Sequence, residues 1–277
     1  MFSTNPFTEL AASIGAEAMQ VYVILMAIAV VAGVIFDVVH KKSAAYFFEN
    51  AKKAEKSAKR TVSGGEKASL AVSTLTNEVL TSAEFANPQR RLSHIMTMYG
   101  FIIFVVATVA MIFGSEAGIW PVLWHLGALS LAVGGYWFWF FIRVDVSSEG
   151  KKWYQLAPRG DLFIVSLLMM STFALLWSLS GAGLSGLSLV FFVLFIAAST
   201  TLFTTVIWSK FAHMFFKPAA AYQKKITRAD GSQENLPDVG EMSDPAIQAR
   251  YPDIPEYMGT NPPNMGLGIK REKPTHF

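Results

Sequence analysis

Two histidines, His94 and His213, each stand among cations at helical spacing. Arg90 and Arg91 precede His94 by four and three residues, and Lys210 and Lys217 lie three before and four after His213. Such spacings put the cations on the histidine's own face of a helix. Imidazoles offered from two facing helices are the axial set of a b-type haem, and arginine and lysine beside them suit its propionates. One bis-histidine haem b is therefore expected. The plainer reading is that both histidines are interfacial and, with their basic neighbours, meet lipid phosphate.

Other residues leave alternatives open. His40 ends the first apolar run. It could replace either ligand, bind a quinone or a propionate, or simply interact with the C-terminal dipole of its helix. His125 could hydrogen-bond a quinone carbonyl alongside Trp120 and Trp124, or all three could form an aromatic belt at the membrane interface. The rings from Tyr136 to Phe141, just before Arg143, read as a second belt or as packing for a porphyrin or quinone. In the latter case Arg143, Asp145, Trp153 and Tyr154 would supply polar contacts. His276 reads as tail. The chain has no cysteine, which excludes disulfides, thiolate iron–sulfur ligation and cysteine-based zinc sites within it. It also lacks a Walker loop, a dinucleotide-binding glycine motif, a nucleophile elbow and an HExxH sequence. These residues suit electron transfer, not bond chemistry, and no nucleic-acid partner is expected.

The elements that must position them are membrane spans. Of 277 residues, 52% are hydrophobic and 16% charged, and mean hydropathy is +0.38. Soluble domains carry nearer a quarter charged residues. Five apolar runs are long enough to cross a bilayer as helices, at about residues 18–39, 93–113, 120–142, 162–179 and 187–208. The loop 41–92 holds ten Lys/Arg, the loop 143–161 four, and the segment after Ser209 nine, which accounts for all 23. The positive-inside bias thus predicts an all-α five-helix bundle with the N-terminus outside and the C-terminus cytoplasmic. Its parts are an outer segment 1–17, a transmembrane domain 18–213 with the cytoplasmic loop 41–92, and a tail 214–277. His40, His94 and His213 then share the inner face.

Within the loop, Ala44 to Arg60 reads as a basic amphipathic helix near the headgroups. Ser63-Gly64-Gly65 breaks it, and a helical pattern from Glu66 to Glu84 ends at Asn87-Pro88. The tail holds eight of the twelve prolines and lacks periodic apolar residues, so an extended arm is expected. Tyr251, Tyr257, Met258 and Met265 would anchor it on a partner.

Five spans with histidines on the second and fifth resemble the membrane cytochrome b subunits of the nitrate reductase gamma type. That group includes the heterodisulfide reductase membrane subunit and the C subunit of the quinone-interacting membrane-bound oxidoreductase. The segments Arg90-Arg91-Leu92-Ser93-His94, Tyr99-Gly100-Phe101 and Ser209 to Pro218 carry the likeness, over about residues 18–218. The absence of a cysteine-rich domain and the tail around Tyr257 to Gly266 look most like the membrane anchors associated with adenylylsulfate reductase in sulfur-oxidising bacteria. The resemblance implies a multi-pass subunit of a bacterial inner membrane. It would take electrons from the flavin and iron–sulfur subunits of that cytoplasmic enzyme, acting in sulfite oxidation, and reduce membrane quinone as substrate. His94 and His213 match the group's haem-ligand positions. The alternative is a cofactor-free membrane anchor for the same soluble enzyme.

Overall fold

A computed structural model describes residues 3–41, 43–83, 85, 87–115, 117–145, 149–232 and 244–252. These residues form helices and connections with no strand, and five of the helices are long and apolar enough to span a membrane. The first is α2 (Ala16–Lys41), preceded by a short α1 (Thr8–Ile14) that turns into it at Gly15, φ 84°. The helices α3 (Ser43–Lys56) and α4 (Gly64–Ser73) follow, and α4 runs on as a π-helix over Thr74–Leu80. The remaining spans are α5 (Pro88–Ile112), α6 (Ile119–Trp137), α7 (Leu162–Leu179) and α8 (Gly186–Thr204). A second π-turn, Phe138–Ile142, extends α6. Short connections join α5 to α6 and α7 to α8. His125 at the start of α6 meets Ser178 at the end of α7 while Gly135 meets Leu168, so α5 to α8 alternate in direction. Gln20 at the start of α2 donates to the Ile112 carbonyl at the end of α5 (3.2 Å), so these two are antiparallel as well.

Two boundaries differ from the sequence reading, each for a local reason. Asn87-Pro88 does not end a helix but starts one. The Asn87 side chain accepts from the backbone N–H of Gln89 (2.9 Å) and Arg90 (3.3 Å), and Pro88 takes the first helical position, where its missing N–H costs nothing. His94 therefore lies in the second turn of α5, inside the helix. At the other end α8 stops at Thr204, short of Trp208 and His213. Residues 204–207 read Thr-Thr-Val-Ile, and the hydroxyls of Thr204 and Thr205 bond the carbonyls four residues back (2.7 and 2.6 Å). β-Branched side chains that also compete for the helix's own acceptors make a poor helix continuation.

The chain then makes a turn and a short 3₁₀ segment, Lys210–Ala212, and enters α9 (His213–Ala229). The arm expected to be extended is thus helical over 213–229, and again in α10 (Pro245–Arg250). Residues 253–277, which include Tyr257, Met258, Met265 and His276, lie outside the described residues.

At the end of the bundle where α2 and α8 finish, α3, α4, the π-helix and α9 pack together as a cap. The backbone N–H groups of Lys59 and Arg60 donate to the Asp230 carbonyl (2.8 and 3.1 Å). Lys225 bridges to Glu78 (3.3 Å) and the Ser73 hydroxyl (3.3 Å), while Ala54 and Thr227 are buried. Ser63 caps α4 by accepting from the Glu66 N–H (3.2 Å).

At the opposite end the core is aromatic. Trp124 and Trp177 are fully buried, Phe7 from the N-terminal segment meets both rings (5.9 and 5.6 Å), and the Trp124 indole donates to Thr108 (2.9 Å). Trp124 is therefore core and not interfacial belt.

The closest crossing joins α5 and α6. A Cβ on Gly100 would lie 2.5 Å from the Leu131 nitrogen, and one on Gly127 would lie 2.6 Å from the Phe104 nitrogen. Both obstacles are backbone, which cannot rotate away. Gly100→Ala is expected to cost about 1–3 kcal/mol by forcing the helices apart. Thermal unfolding in detergent should show a clearly lowered midpoint, and an unchanged one would mean the crossing is looser than it looks.

Candidate functional site

A cavity of about 450 Å³ opens at the capped end of the bundle, between α5, the start of α7, the π-helix and α9. Its lining grades from charged to apolar. Along α5 it runs from Arg90 through His94 and Thr97 to Phe101 and Ile102, a rise of about 18 Å. Phe163, Ile164 and Leu167 of α7 continue the apolar part. Lys210, Met214 and Lys217 line it from the 3₁₀ segment and α9. Carboxylates are present too: Glu78, Glu149 and Asp161. An amphiphile with an apolar body and a polar edge matches this gradient, and the volume falls within the range of small-molecule sites.

The His94 ring is held by residues that are distant in sequence on the near side. Its Nδ1 lies 3.0 Å from the Ser82 hydroxyl, and the Phe85 ring packs against it at 4.9 Å. Two cations converge on the same phenyl ring, with the Arg90 guanidinium 5.2 Å and the Lys217 ammonium 5.0 Å from its centre. Arg91 points elsewhere, since its Nε donates to the Thr81 carbonyl (2.7 Å) and it is not among the cavity residues. Of the two arginines expected beside the ligand, Arg90 alone lines the site.

Lys210 also lines the cavity and sits 3.9 Å from Glu149. His213 is the first residue of α9, next to Met214 and one turn before Lys217, and its side chain lies outside the described part of the structure. His40 is not brought to the site. It is exposed at the end of α2, stacked on Phe36 (4.8 Å), and absent from the cavity lining. His125 is 4% exposed: its Nδ1–H donates to the Pro121 carbonyl (2.7 Å), and its Nε2 accepts from the Ser178 hydroxyl (2.7 Å). It ties α6 to α7 in the core.

Opposite His94 the wall rests on Arg143, whose side chain is fully buried. Its guanidinium lies 4.0 Å from the Trp139 ring centre, 2.5 Å from Asp161 and 3.6 Å from Glu149, and it donates to the Gln155 carbonyl (2.7 Å). Residues 149–161 are thereby held against the end of α6.

The ring cluster mostly faces away from the cavity, and only Phe138 lines it. The Trp139 indole donates to the Trp153 carbonyl (3.1 Å), and the Trp153 ring packs on Phe140. Phe141, Trp153, Tyr154 and Leu156 are exposed, at 70%, 57%, 58% and 65%. This surface continues the last turn of a helix long and apolar enough to span a membrane, where exposed aromatic rings favour the headgroup region. Lipids brominated near the glycerol are expected to quench Trp153 fluorescence, read as the difference between wild type and Trp153→Phe in vesicles. Equal quenching in the two proteins would place the loop in water.

Ser82, Phe85, Glu78 and Glu149 are site residues that the sequence did not point to. They stand on loops and a π-turn, where no 3.6-residue period links them to His94. Among the described residues no group of three or more His, Asp or Glu side chains could hold a metal ion. Comparisons with protein-family models, curated proteins and solved structures find no match.

Proposed function

We propose that this chain is a membrane electron-transfer subunit with one b-type haem at its inner face, relaying electrons between a cytoplasmic flavin and iron–sulfur enzyme and membrane quinone. The observation that carries the reading is the cavity itself. It places an imidazole in the wall of a ring-sized apolar space with arginine and lysine at the charged end. The residues fit the group. Nδ1 of His94 lies 3.0 Å from the Ser82 hydroxyl, the kind of contact that orients ligating histidines, and His94 would hold the group from α5. His213 would hold it from α9. Arg90 and Lys217, with Lys210 on the facing wall, would receive the propionates. Bound there, haem supplies a one-electron carrier close to the cap. The residues around it exclude water through Phe85, Phe101 and Phe163, and compensate the anionic edge.

The one-sided distribution of Lys and Arg supports a cytoplasmic cap and an outer N-terminus in a bacterial inner membrane. Adenylylsulfate reductase, working in sulfite oxidation, is the partner that the sequence resemblance suggests. The cap helices and the segment beyond α10 would form its docking surface. The test is a reduced-minus-oxidised visible spectrum of the purified chain with haem quantified per polypeptide. A b-type spectrum at one haem per chain supports the proposal. No haem after purification with haem supplied would defeat it in favour of a cofactor-free anchor.

A further inference from the structure

Ser82 has φ 49° and is fully buried. A residue with a Cβ rarely adopts this left-handed conformation, and it persists where surrounding contacts impose it, often at functional positions. Those contacts come largely from α5. The Tyr99 hydroxyl donates to the Leu80 carbonyl (2.8 Å) and Arg91 Nε donates to the Thr81 carbonyl (2.7 Å). The turn is closed further by Ala83 N–H to the Asn77 carbonyl (2.8 Å) and Phe85 N–H to the Ser82 carbonyl (3.2 Å). Two side chains of α5 thus grip the two carbonyls ahead of Ser82, and the strained residue returns its hydroxyl to a third, His94 (3.0 Å). π-Helical turns, such as the one leading into Ser82, are also frequent at functional sites.

We propose, resting on the haem reading above, that Ser82 is the positioning residue of His94. The His94 Nδ1–H donates to Ser82 Oγ, which fixes the ring's tautomer and rotation. A partner of this kind orients a ligating histidine and raises its basicity. The strained turn is the means of delivering that one acceptor, and Phe85 closes the ring's other approach.

Two variants separate a role in ligation from a role in folding. Ser82→Ala removes the hydroxyl and keeps the strain. Ser82→Gly removes the hydroxyl and also relieves the strain, because glycine accepts positive φ freely. Apo chains would be titrated with haemin, followed by absorbance, beside thermal unfolding of the same preparations. Both variants are expected to bind haemin about 10–100-fold more weakly than wild type, with Ser82→Gly unfolding no earlier than wild type. A Ser82→Gly chain that binds haemin as tightly as wild type overturns the inference.

The second readout needs no haemin. In ¹⁵N-histidine spectra of the apo chain, with His94 assigned by its loss in His94→Gln, the wild-type ring should carry its proton on Nδ1. Ser82→Gly should shift population to the Nε2–H form. A wild-type ring protonated on Nε2 overturns the inference whatever haemin does. A wild type that carries Nδ1–H yet binds no haemin defeats the haem reading and leaves the Ser82–His94 assignment standing.

Discussion

His94→Ala is expected to leave the chain folded, inserted and without haem. The ring is one part of a wall whose other residues, Thr97, Phe101 and Ile102 on the same helix and Phe163 and Leu167 opposite, do not depend on it. What the substitution would remove, on the proposed reading, is the haem's attachment to α5. A b-type haem is held by two such attachments, and losing one exposes an iron position to water and weakens retention through detergent extraction. Haem per chain should fall from one to near none, with the sharp reduced bands lost, while helical content by circular dichroism stays that of wild type.

His213→Ala should behave alike on the proposed reading, since His213 opens α9, whose Met214 and Lys217 line the cavity. His40→Ala and His125→Ala should both keep the haem. The first residue is absent from the cavity, and the second is committed to the core. A haem that survives in both His94→Ala and His213→Ala would remove the proposed ligand pair altogether.

The largest loss of stability is expected from Arg143→Ala. Asp161 is 3% exposed, and the Arg143 guanidinium supplies its compensating charge at 2.5 Å. Taking away one member of a buried pair leaves the other charged in a poor solvent, and such changes cost about 3–5 kcal/mol. More is lost here than the pair. The Gln155 carbonyl loses its donor and the Trp139 ring its cation, so the loop 143–161 comes away from α6 and takes Glu149 and Asp161 out of the cavity wall. Unfolding in detergent should show the drop in midpoint. Arg143→Met combined with Asp161→Leu should recover much of it, because replacing a whole buried pair by apolar groups is often neutral or favourable. If Arg143→Ala costs under about 1 kcal/mol, the range of surface pairs, the network is wetter than its burial indicates.

The sequence carried the spans well, and for a physical reason. Backbone groups in hydrocarbon must bond within their own helix, so an apolar run of sufficient length has one structure open to it. It carried the ends of the spans less well. Asn87-Pro88 is a stop signal for a preceding helix and a start signal for a following one, and only the Asn87 side-chain bonds decide between them. The break after Thr204 hides inside an apolar stretch because threonine, valine and isoleucine are hydrophobic enough to look like span. His94, Arg90, Lys210 and Lys217 stand out in the sequence by their regular spacing, and all four line one cavity. Ser82 was not, since nothing local marks a serine that a loop returns to a helix twelve residues later. Trp124 was misplaced because an indole near a span end satisfies the belt rule, while its burial depends on Phe7, a residue from the far end of the sequence.

The cap is built from two stretches separated by the four helices α5 to α8, residues 43–83 and 210–232, joined where Asp230 meets Lys59 and Arg60. Synthesis runs from the first of these to the second. When α5 has entered the bilayer, His94 and its turn are in place but face an incomplete wall, and Met214 and Lys217 are still to be translated. The cavity can close around a ligand only after α8 has crossed and α9 has emerged. Loading of any such ligand would therefore be a late step in biogenesis, since a chain stopped after α7 displays only half of the pocket.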